Sequence, residues 1–80
     1  MLVKDAVVLR IKGLCRERNI SLNELAMLSG VTPSTVYSVC NPKRRQVGIA
    51  TVKKLCDGFN ISLSAFFDSD VFDGLSQEIE

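Results

Sequence analysis

The chain has 80 residues, of which 46% are hydrophobic and 24% are charged, and its formal net charge is +1. This length allows one small domain, and the composition is that of a globular protein, which excludes a disordered chain. No apolar run reaches the roughly 18 residues of a transmembrane helix, and the charged N-terminal segment lacks the cleavage site of a secretory signal.

The three cysteines, Cys15, Cys40 and Cys56, form no C-x-x-C pair. An odd number of scattered cysteines favours free thiols in a reducing cytoplasm over a disulfide framework. Core packing is the favoured role for Cys15 and Cys56, and a redox role for Cys40 is the less favoured interpretation of that residue. Because the chain has no histidine and its three thiols are scattered, we expect no zinc site or other metal site. We expect no cofactor either.

Charge is divided unevenly along the chain. Residues 1–54 contain all ten Lys and Arg and three acidic residues, which gives +7, whereas residues 55–80 contain six acidic residues and no basic one, which gives −6. The basic body, residues 1–54, indicates a surface that binds a polyanion, and the acidic tail is expected to be kept away from that surface. Ordinary solubility charge is the alternative interpretation.

A first helix is predicted over residues 3–18, because apolar residues recur there at helical spacing. Its buried stripe comprises Val7, Val8, Ile11, Leu14 and Cys15. Asn19 tolerates the left-handed conformation in which many helices end. Leu9 falls on the polar side, which fits either a simple exposed position or a dimer contact.

A second helix begins after Ser21. Ser21 and Glu24 have the S-x-x-E spacing of a capping box, in which each side chain bonds to the backbone of the other residue. Leu25 and Leu28 are predicted to be its buried pair. Gly30 supplies the positive φ that a tight turn between two helices requires.

A third helix is predicted over residues 33–40. Thr32 has the hydroxyl of a helix N-cap, and Pro33 follows at the first helical position, where a missing N–H costs nothing. Val36 and Val39 define its buried side. The opposite face is short, uncharged and able to form hydrogen bonds, and it comprises Ser34, Ser38 and Asn41, with Tyr37 on its flank.

Asn41-Pro42 ends this helix, and the densest positive run of the chain follows at Lys43, Arg44 and Arg45. A fourth helix is predicted over about residues 49–59, and a short fifth helix follows the N-cap Ser62. Their predicted core residues are Ile49, Val52, Leu55, Cys56 and Phe59 in the fourth helix and Leu63, Phe66 and Phe67 in the fifth.

Residues 68–80 form an acidic tail. Phe72, Leu75 and Ile79 recur at an amphipathic helical spacing, although Gly74 disfavours a helix. An extra amphipathic helix is therefore one interpretation. Folding back onto the domain, pairing with a second copy and fraying are all left open.

A helix that enters the DNA major groove must present donors and acceptors to base edges, while nearby cations neutralise phosphates. The polar face of the third helix meets the first need and the run Lys43–Arg45 meets the second. The helix N-termini at Ser21 and Thr32 also offer backbone N–H groups to phosphate oxygens. In isolation, an exposed polar face on a helical bundle would be the favoured interpretation of the third helix, and a solvated loop is the alternative for the basic run. Their succession in one motif favours DNA binding.

The spacing S-x-x-E-L-A-x-x-S-G-V-T-x-S-T-V, followed by N-x-K-R, T-V-x-K-L, I-S-L and F-F, resembles the Cro/C1-type (Xre) helix-turn-helix family over about residues 8–67. The resemblance implies an all-α fold, a compact five-helix bundle of the lambda-repressor-like DNA-binding type. It also implies a transcriptional regulator that binds double-stranded DNA, usually as a homodimer on a palindromic operator.

The family's recognition helix corresponds to residues 33–40. By the resemblance, base-reading positions are Pro33, Ser34, Tyr37 and Ser38. Phosphate contacts fall at Ser21, Thr32, Thr35, Asn41, Lys43, Arg44 and Arg45, with Leu22 nearby. Proline at position 33 and leucine at position 22 replace glutamines that are common in the family, so direct reading of adenine by an amide is lost there. Readout then depends on thymine methyl groups, Tyr37 or DNA shape.

The predicted organisation is a DNA-binding domain over residues 1–67 and an acidic tail over residues 68–80. We expect a cytoplasmic, sequence-specific transcriptional regulator, most simply a repressor, that has no membrane partner and no evident small-molecule ligand. An enzyme is disfavoured because the chain lacks histidine for acid–base work and a phosphate-binding G-x-x-x-x-G-K-[ST] loop. The alternative is a protein-interaction module of the same fold, an antitoxin-like or antirepressor-like partner binder.

Overall fold

The structure is a computed structural model, and it describes residues 1–79. Five α-helices follow one another: α1 Val3–Arg18, α2 Leu22–Ser29, α3 Pro33–Cys40, α4 Ile49–Phe59 and α5 Leu63–Phe67. A single 3₁₀ turn, Asp70–Phe72, comes after them, and there is no strand in the described range. The predicted all-α five-helix fold is confirmed. No helix within residues 1–79 is long and apolar enough to cross a membrane.

Helix starts follow the capping residues of the sequence. The Ser21 hydroxyl accepts from the Glu24 N–H at 3.0 Å, and the Glu24 carboxylate accepts from the Ser21 N–H at 3.0 Å. The predicted capping box is thus confirmed. The hydroxyls of Thr32 and Ser62 cap α3 and α5 by accepting from backbone N–H groups at 3.3 and 3.0 Å. These bonds satisfy donors that the first helical turn leaves without partners.

Helix ends follow equally local signals. α1 and α4 end at Asn19 and Asn60, which have φ values of 55° and 59°, and α2 ends at Gly30, which has a φ of 69°. The left-handed conformation at these positions turns the chain sharply. The left-handed ends predicted at Asn19 and Gly30 are therefore confirmed, and Asn60 ends α4 in the same conformation.

The core lies between α1, α4 and the pair α2–α3. Its fully buried members with the largest side chains are Phe59, Phe66, Ile11, Leu25, Leu55, Val36, Val52 and Cys56. α2 and α4 cross very closely: a Cβ on Gly58 would collide with Ser29 Oγ and lie 3.1 Å from Ser29 Cα. The crossing therefore depends on a residue without a side chain, which the sequence pattern did not single out.

Three residues that were predicted to lie in the core, Leu28, Ile49 and Phe67, are exposed. Leu28 is 57% exposed, because the close crossing at Ser29 and Gly58 turns the buried face of α2 towards Ala26 and away from Leu28. Ile49 is 64% exposed, because it occupies the first turn of α4, beyond the end of the core. Phe67 is 37% exposed, because it is the last residue of α5 and its ring packs against Phe66 and Phe72 at the edge of the core. Val8 and Leu63, which were also predicted to be buried, are half-buried.

The acidic tail folds back onto α1. Phe72 packs against the core, with its ring centroid 4.9 Å from that of Phe67. Further along, the Ser76 N–H donates to the Met1 carbonyl at 3.0 Å, and the Glu78 carboxylate accepts from the Val3 N–H at 3.0 Å. Of the arrangements left open, folding back is the one observed.

An amphipathic helix is not formed over the described part of the tail. The helical turn ends at Phe72, Gly74 takes a φ of 69°, and residues 73–79 are not helical, so Ile79 is 86% exposed. Glu80 lies outside the described residues. The domain boundary between residues 67 and 68 stays a prediction.

The acidic charge of the tail suggested that the tail would be kept away from the basic run. In the structure it lies close to that run. Glu78 lines one open cleft together with Arg45 and Gln46. The physical reason is the contact of the Glu78 carboxylate with the first turn of α1, where the helix dipole attracts an anion.

Candidate nucleic-acid interface

The turn between α2 and α3 fixes the direction of α3. Leu25 and Val36 are fully buried, so that one face of each helix is held in the core. Across the turn, the Val31 N–H donates to the Ala26 carbonyl at 3.1 Å, which closes the end of α2 around Gly30. The outward face of α3 is therefore set by core packing on one side and by a hydrogen-bonded turn at its start.

All four residues predicted to read bases lie at the protein surface. Pro33, Ser34 and Ser38 are exposed, and Tyr37 is 52% exposed. Ser34 and Ser38 line an open cleft on the side where α4 begins. This face presents hydroxyl groups and a phenol, which can both donate and accept hydrogen bonds.

The sequence did not predict the opposite wall of that cleft. Val47, Gly48 and Thr51 approach Ser34 and Ser38 from the loop before α4 and from its first turn. Thr51 adds a hydroxyl to those of Ser34, Thr35 and Ser38, which line the cleft from α3. The available signal was the position of Thr51 outside the apolar stripe of α4, but that alone does not say which helix it faces.

Hydroxyl groups are grouped at the N-terminus of α3. Thr32 Oγ1 lies 3.0 Å from both Ser34 Oγ and Thr35 Oγ1. At the start of α2, Ser21 Oγ already accepts the bond of the capping box. Because a hydroxyl carries one donor and two acceptor positions, capping leaves its proton able to donate to a phosphate oxygen. The predicted contacts at Ser21, Thr32 and Thr35 are thus chemically feasible.

The basic loop, residues 41–46, begins with a compact turn. Asn41 Oδ1 accepts from the Lys43 N–H at 2.9 Å, and the Asn41 carbonyl accepts from the Arg44 N–H at 3.0 Å. The amide nitrogen of Asn41 is the part of its side chain that stays available as a donor. Lys43 and Arg44 are exposed, and neither has an ion-pair partner among residues 1–79.

Lys4 holds this loop from α1. It is only 3% exposed, and its Nζ donates to the carbonyls of Asn41 at 3.2 Å and Arg44 at 2.8 Å. The sequence interpretation counted Lys4 merely as part of the basic body. A signal was present, since Lys4 lies three residues before Val7 and seven before Ile11 and therefore falls within the apolar stripe of α1.

Arg45 is less available than its two neighbours. Its guanidinium lies 3.4 Å from the Asp5 carboxylate and also donates to the Pro42 carbonyl at 3.2 Å. The hydrogen bond from Arg45 lowers the pKa of the Asp5 carboxyl from its ordinary value of 3.8. The pair is therefore fully ionised at neutral pH, and a phosphate would compete with Asp5 for Arg45.

Other cations of the basic body serve the fold. Arg10 donates to the carbonyls of Phe66 at 2.7 Å and Ala65 at 2.9 Å, at the end of α5. Arg18 donates to the Phe59 carbonyl at the end of α4, and its guanidinium lies 5.5 Å from the Phe59 ring centroid. Cations at helix C-termini satisfy the last carbonyls and the helix dipole. The positive charge of residues 1–54 is thus only partly available to a ligand.

The three cysteines are free thiols. Cys15 and Cys56 are buried, as predicted for core packing, and Cys40 is half-buried at the end of α3. Burial raises the pKa of the Cys40 thiol, and nearby Lys12 and Lys4 offset part of that rise. The thiolate that redox chemistry requires is therefore scarce at neutral pH. No three possible metal-ligating side chains cluster within residues 1–79.

Comparison with solved structures finds the same fold in the wild-type restriction-modification controller protein C.Esp1396I. The likeness has a TM-score of 0.73 at 19% identity and covers 84% of this chain and 85% of the other. Comparison with curated protein sequences gives no match. The family model for the Cro/C1-type HTH DNA-binding domain matches residues 10–68, which include all five helices apart from the start of α1. That family consists of DNA-binding regulators and is not a class of enzymes. The chain belongs to the family of Cro/C1-type helix-turn-helix DNA-binding domains.

Proposed function

We propose that this protein is a sequence-specific transcriptional repressor that binds double-stranded DNA as a homodimer and places α3 in the major groove. One observation carries the proposal: the exposed polar face of α3 runs directly into the exposed cations Lys43 and Arg44. Family membership supports DNA binding, and the dimer follows from the usual assembly of this family. The free thiols fit a cytoplasmic setting.

Base reading falls to Pro33, Ser34, Tyr37 and Ser38. α3 is an α-helix of eight residues, and an α-helix with its side chains is about 10–12 Å across, which matches the width of the major groove. Ser34 and Ser38 donate to or accept from base edges, Tyr37 reaches a base or the sugar–phosphate backbone, and Pro33 contacts a thymine methyl group. Because none of these side chains makes the two-bonded contact of an amide with adenine, DNA shape contributes to specificity.

Phosphate binding is shared between two places. At the helix starts it uses the hydroxyls of Ser21, Thr32 and Thr35 together with first-turn N–H groups. Past α3 it uses the basic loop, where the predicted contacts are Asn41, Lys43, Arg44 and Arg45. Lys43 and Arg44 are the strongest of these, since Arg45 must first leave Asp5.

The phosphate role is tested with the double variant Lys43→Ala/Arg44→Ala. A dimer that neutralises about eight phosphates gives a log–log salt slope of about −7, and the loss of four contacts should flatten it to about −3.5. Affinity for every duplex sequence should fall by the same factor, about 10- to 100-fold at moderate salt. Equilibrium binding to labelled duplexes at several salt concentrations measures both quantities.

The matched control is Arg16→Ala/Lys54→Ala, which removes the same charge from exposed positions on α1 and α4 that have no ion-pair partner among residues 1–79. Its salt slope should equal that of the wild type. A wild-type slope near zero, or equal slopes for the two double variants, would contradict the proposed role of the loop.

Specificity and dimerisation are tested by selecting bound sites from random duplex DNA at one stated salt concentration. Two half-sites about one helical turn apart, roughly 34 Å, would support the dimer. Ser34→Ala and Ser38→Ala should change the preferred bases without flattening the salt slope. Recovery of no enriched sequence would contradict sequence-specific binding.

Repression is tested by placing the selected site across a reporter promoter. An increased transcript level in the presence of the protein would contradict repression.

A further inference from the structure

Lys4 is a buried cation without a carboxylate partner among residues 1–79. Its side chain is 3% exposed, and Nζ forms its two hydrogen bonds with main-chain carbonyls 37 and 40 residues further along the chain. Burial of a charged group is costly unless hydrogen bonds compensate it. A methionine or leucine would fill the same place in the apolar stripe of α1 without that cost. The presence of the ammonium group therefore requires a functional explanation.

The two acceptors lie at opposite ends of the compact turn. The Asn41 carbonyl follows the last residue of α3, and the Arg44 carbonyl belongs to an exposed cation. Lys4 therefore links the end of the proposed recognition helix to one of the proposed phosphate-binding residues. It supports the same turn that the bond from the Arg44 N–H to the Asn41 carbonyl closes.

The orientation of the ammonium also fits the charges around it. It lies at the C-terminus of α3, where the helix dipole places partial negative charge. Its proximity to the loop does not make it a DNA contact, because a side chain that is 3% exposed cannot reach a phosphate. Any effect of Lys4 on DNA binding must pass through the loop that it holds.

We propose that Lys4 is a positioning residue for DNA binding. It holds the backbone of residues 41–44 in the shape that directs Lys43 and Arg44 towards the DNA phosphates. This inference depends on the proposed phosphate-binding role of that loop. A loop held in its binding shape loses less conformational freedom on binding, and this preserves affinity without any contact from Lys4 itself.

The test is a thermodynamic cycle between Lys4→Met and Lys43→Ala/Arg44→Ala. Methionine keeps an unbranched apolar stem of similar length and removes the ammonium. Dissociation constants for a random-sequence duplex are measured for the wild type, both variants and their combination, at temperatures where denaturation curves show each protein folded. We expect Lys4→Met to weaken binding about fivefold and to flatten the salt slope, as poorly placed cations release fewer counterions.

The combination gives the decisive result. If Lys4 acts through Lys43 and Arg44, adding Lys4→Met to the double variant should weaken binding less than twofold further, which is the non-additivity of coupled residues. A purely structural role would make the two effects multiply, and that outcome would overturn the inference. Loss of stability alone would not change the salt slope.

Two further measurements separate the remaining cases. Arg16→Met removes one exposed cation from the same helix and should leave the salt slope unchanged. If Lys4→Met does not fold, Lys4→Leu, which fills the same apolar position and also lacks a donor, is taken through the same cycle. If Lys43→Ala/Arg44→Ala itself binds like the wild type, the proposed function of the loop fails. If that double variant binds weakly and the cycle is additive, only the role of Lys4 fails.

Discussion

The turn before α3 and the basic loop after it flank the same helix but are held in different ways. The turn is closed by neighbours in sequence: Gly30 takes a left-handed conformation, and the Val31 N–H bonds to Ala26. The loop is held from the far end of the chain, by Lys4 at its backbone and Asp5 at Arg45. The turn that precedes α3 is therefore closed by local bonds alone, whereas the loop, with its proposed phosphate contacts, combines local turn bonds at Asn41 with tertiary bonds to α1. It should therefore be possible to alter either the turn or the loop by mutation without altering the other.

The largest effect should come from disturbing the packing against α4 of α2, the helix that precedes the turn. Gly58→Ala places a methyl group against the backbone of Ser29, where α2 crosses α4, and overpacking of this kind lowers the free energy of unfolding by about 1–3 kcal/mol. Urea denaturation measures the change. Gly13→Ala is the matched control, because a Cβ there meets nothing within 4 Å, and it should stabilise α1 by about 0.5–1 kcal/mol. Destabilisation by both variants would show that the α2–α4 crossing is not the cause.

A smaller effect on stability should come from the capping box at the start of α2. Glu24→Ala removes one of the two bonds of the capping box and should lower the free energy of unfolding by about 0.5–1 kcal/mol. Glu24→Gln keeps an acceptor at the same place and should retain most of that stability. The difference between the two variants in urea denaturation measures the cap. Equal stability would indicate that tertiary packing, not the cap, determines where α2 begins.

The tertiary contact between α1 and the basic loop is tested by Asp5→Asn, which should increase DNA affinity. The substitution weakens the bond between residue 5 and Arg45 and removes a negative charge beside the proposed phosphate contacts. The gain should be about two- to fivefold, typical of a surface ion pair, with a salt slope steeper by about 1–2 for a dimer. Equilibrium binding to one duplex at several salt concentrations measures both, and a flatter slope would contradict the proposed competition between Asp5 and phosphate.

The same pair has a definite pH dependence. Since Arg45 lowers the pKa of Asp5 in the folded chain, the ionised pair stabilises the fold above pH 3.8, the ordinary value, and this contribution is lost as the pH falls through the lowered value. Acid unfolding of Asp5→Asn should lack this component.

The smallest effect concerns Cys40, which lies where α3 meets the basic loop. It is the most exposed of the three cysteines, so a thiol reagent should label it first. Burial raises its pKa, so labelling should be slow at pH 7 and accelerate above pH 9, as the thiolate forms. Mass spectrometry of the labelled chain gives the order and the rates. Fast labelling at pH 7 would favour the redox role that the sequence made the weaker interpretation.

The sequence by itself determined the helices, their ends and the family. The Ser21–Glu24 box, the glycine at position 30 and the Thr32-Pro33 start all act between residues at most five apart, and such signals can be recognised without a structure. The exposure of Ser34 and Ser38 could also be predicted, because one face of a short helix is defined by its own periodicity.

Only the tertiary structure decided which cations face solvent. Lys4, Arg10 and Arg18 bond to carbonyls 37 to 56 residues away, and these partners are not encoded near them. The exposure of Leu28, the cleft wall at Thr51 and the return of the acidic tail to α1 have the same origin. Local hydrogen bonds specify where a helix begins and ends. The choice of the face that it buries, and of the charges that remain available for DNA, requires the position of every other helix.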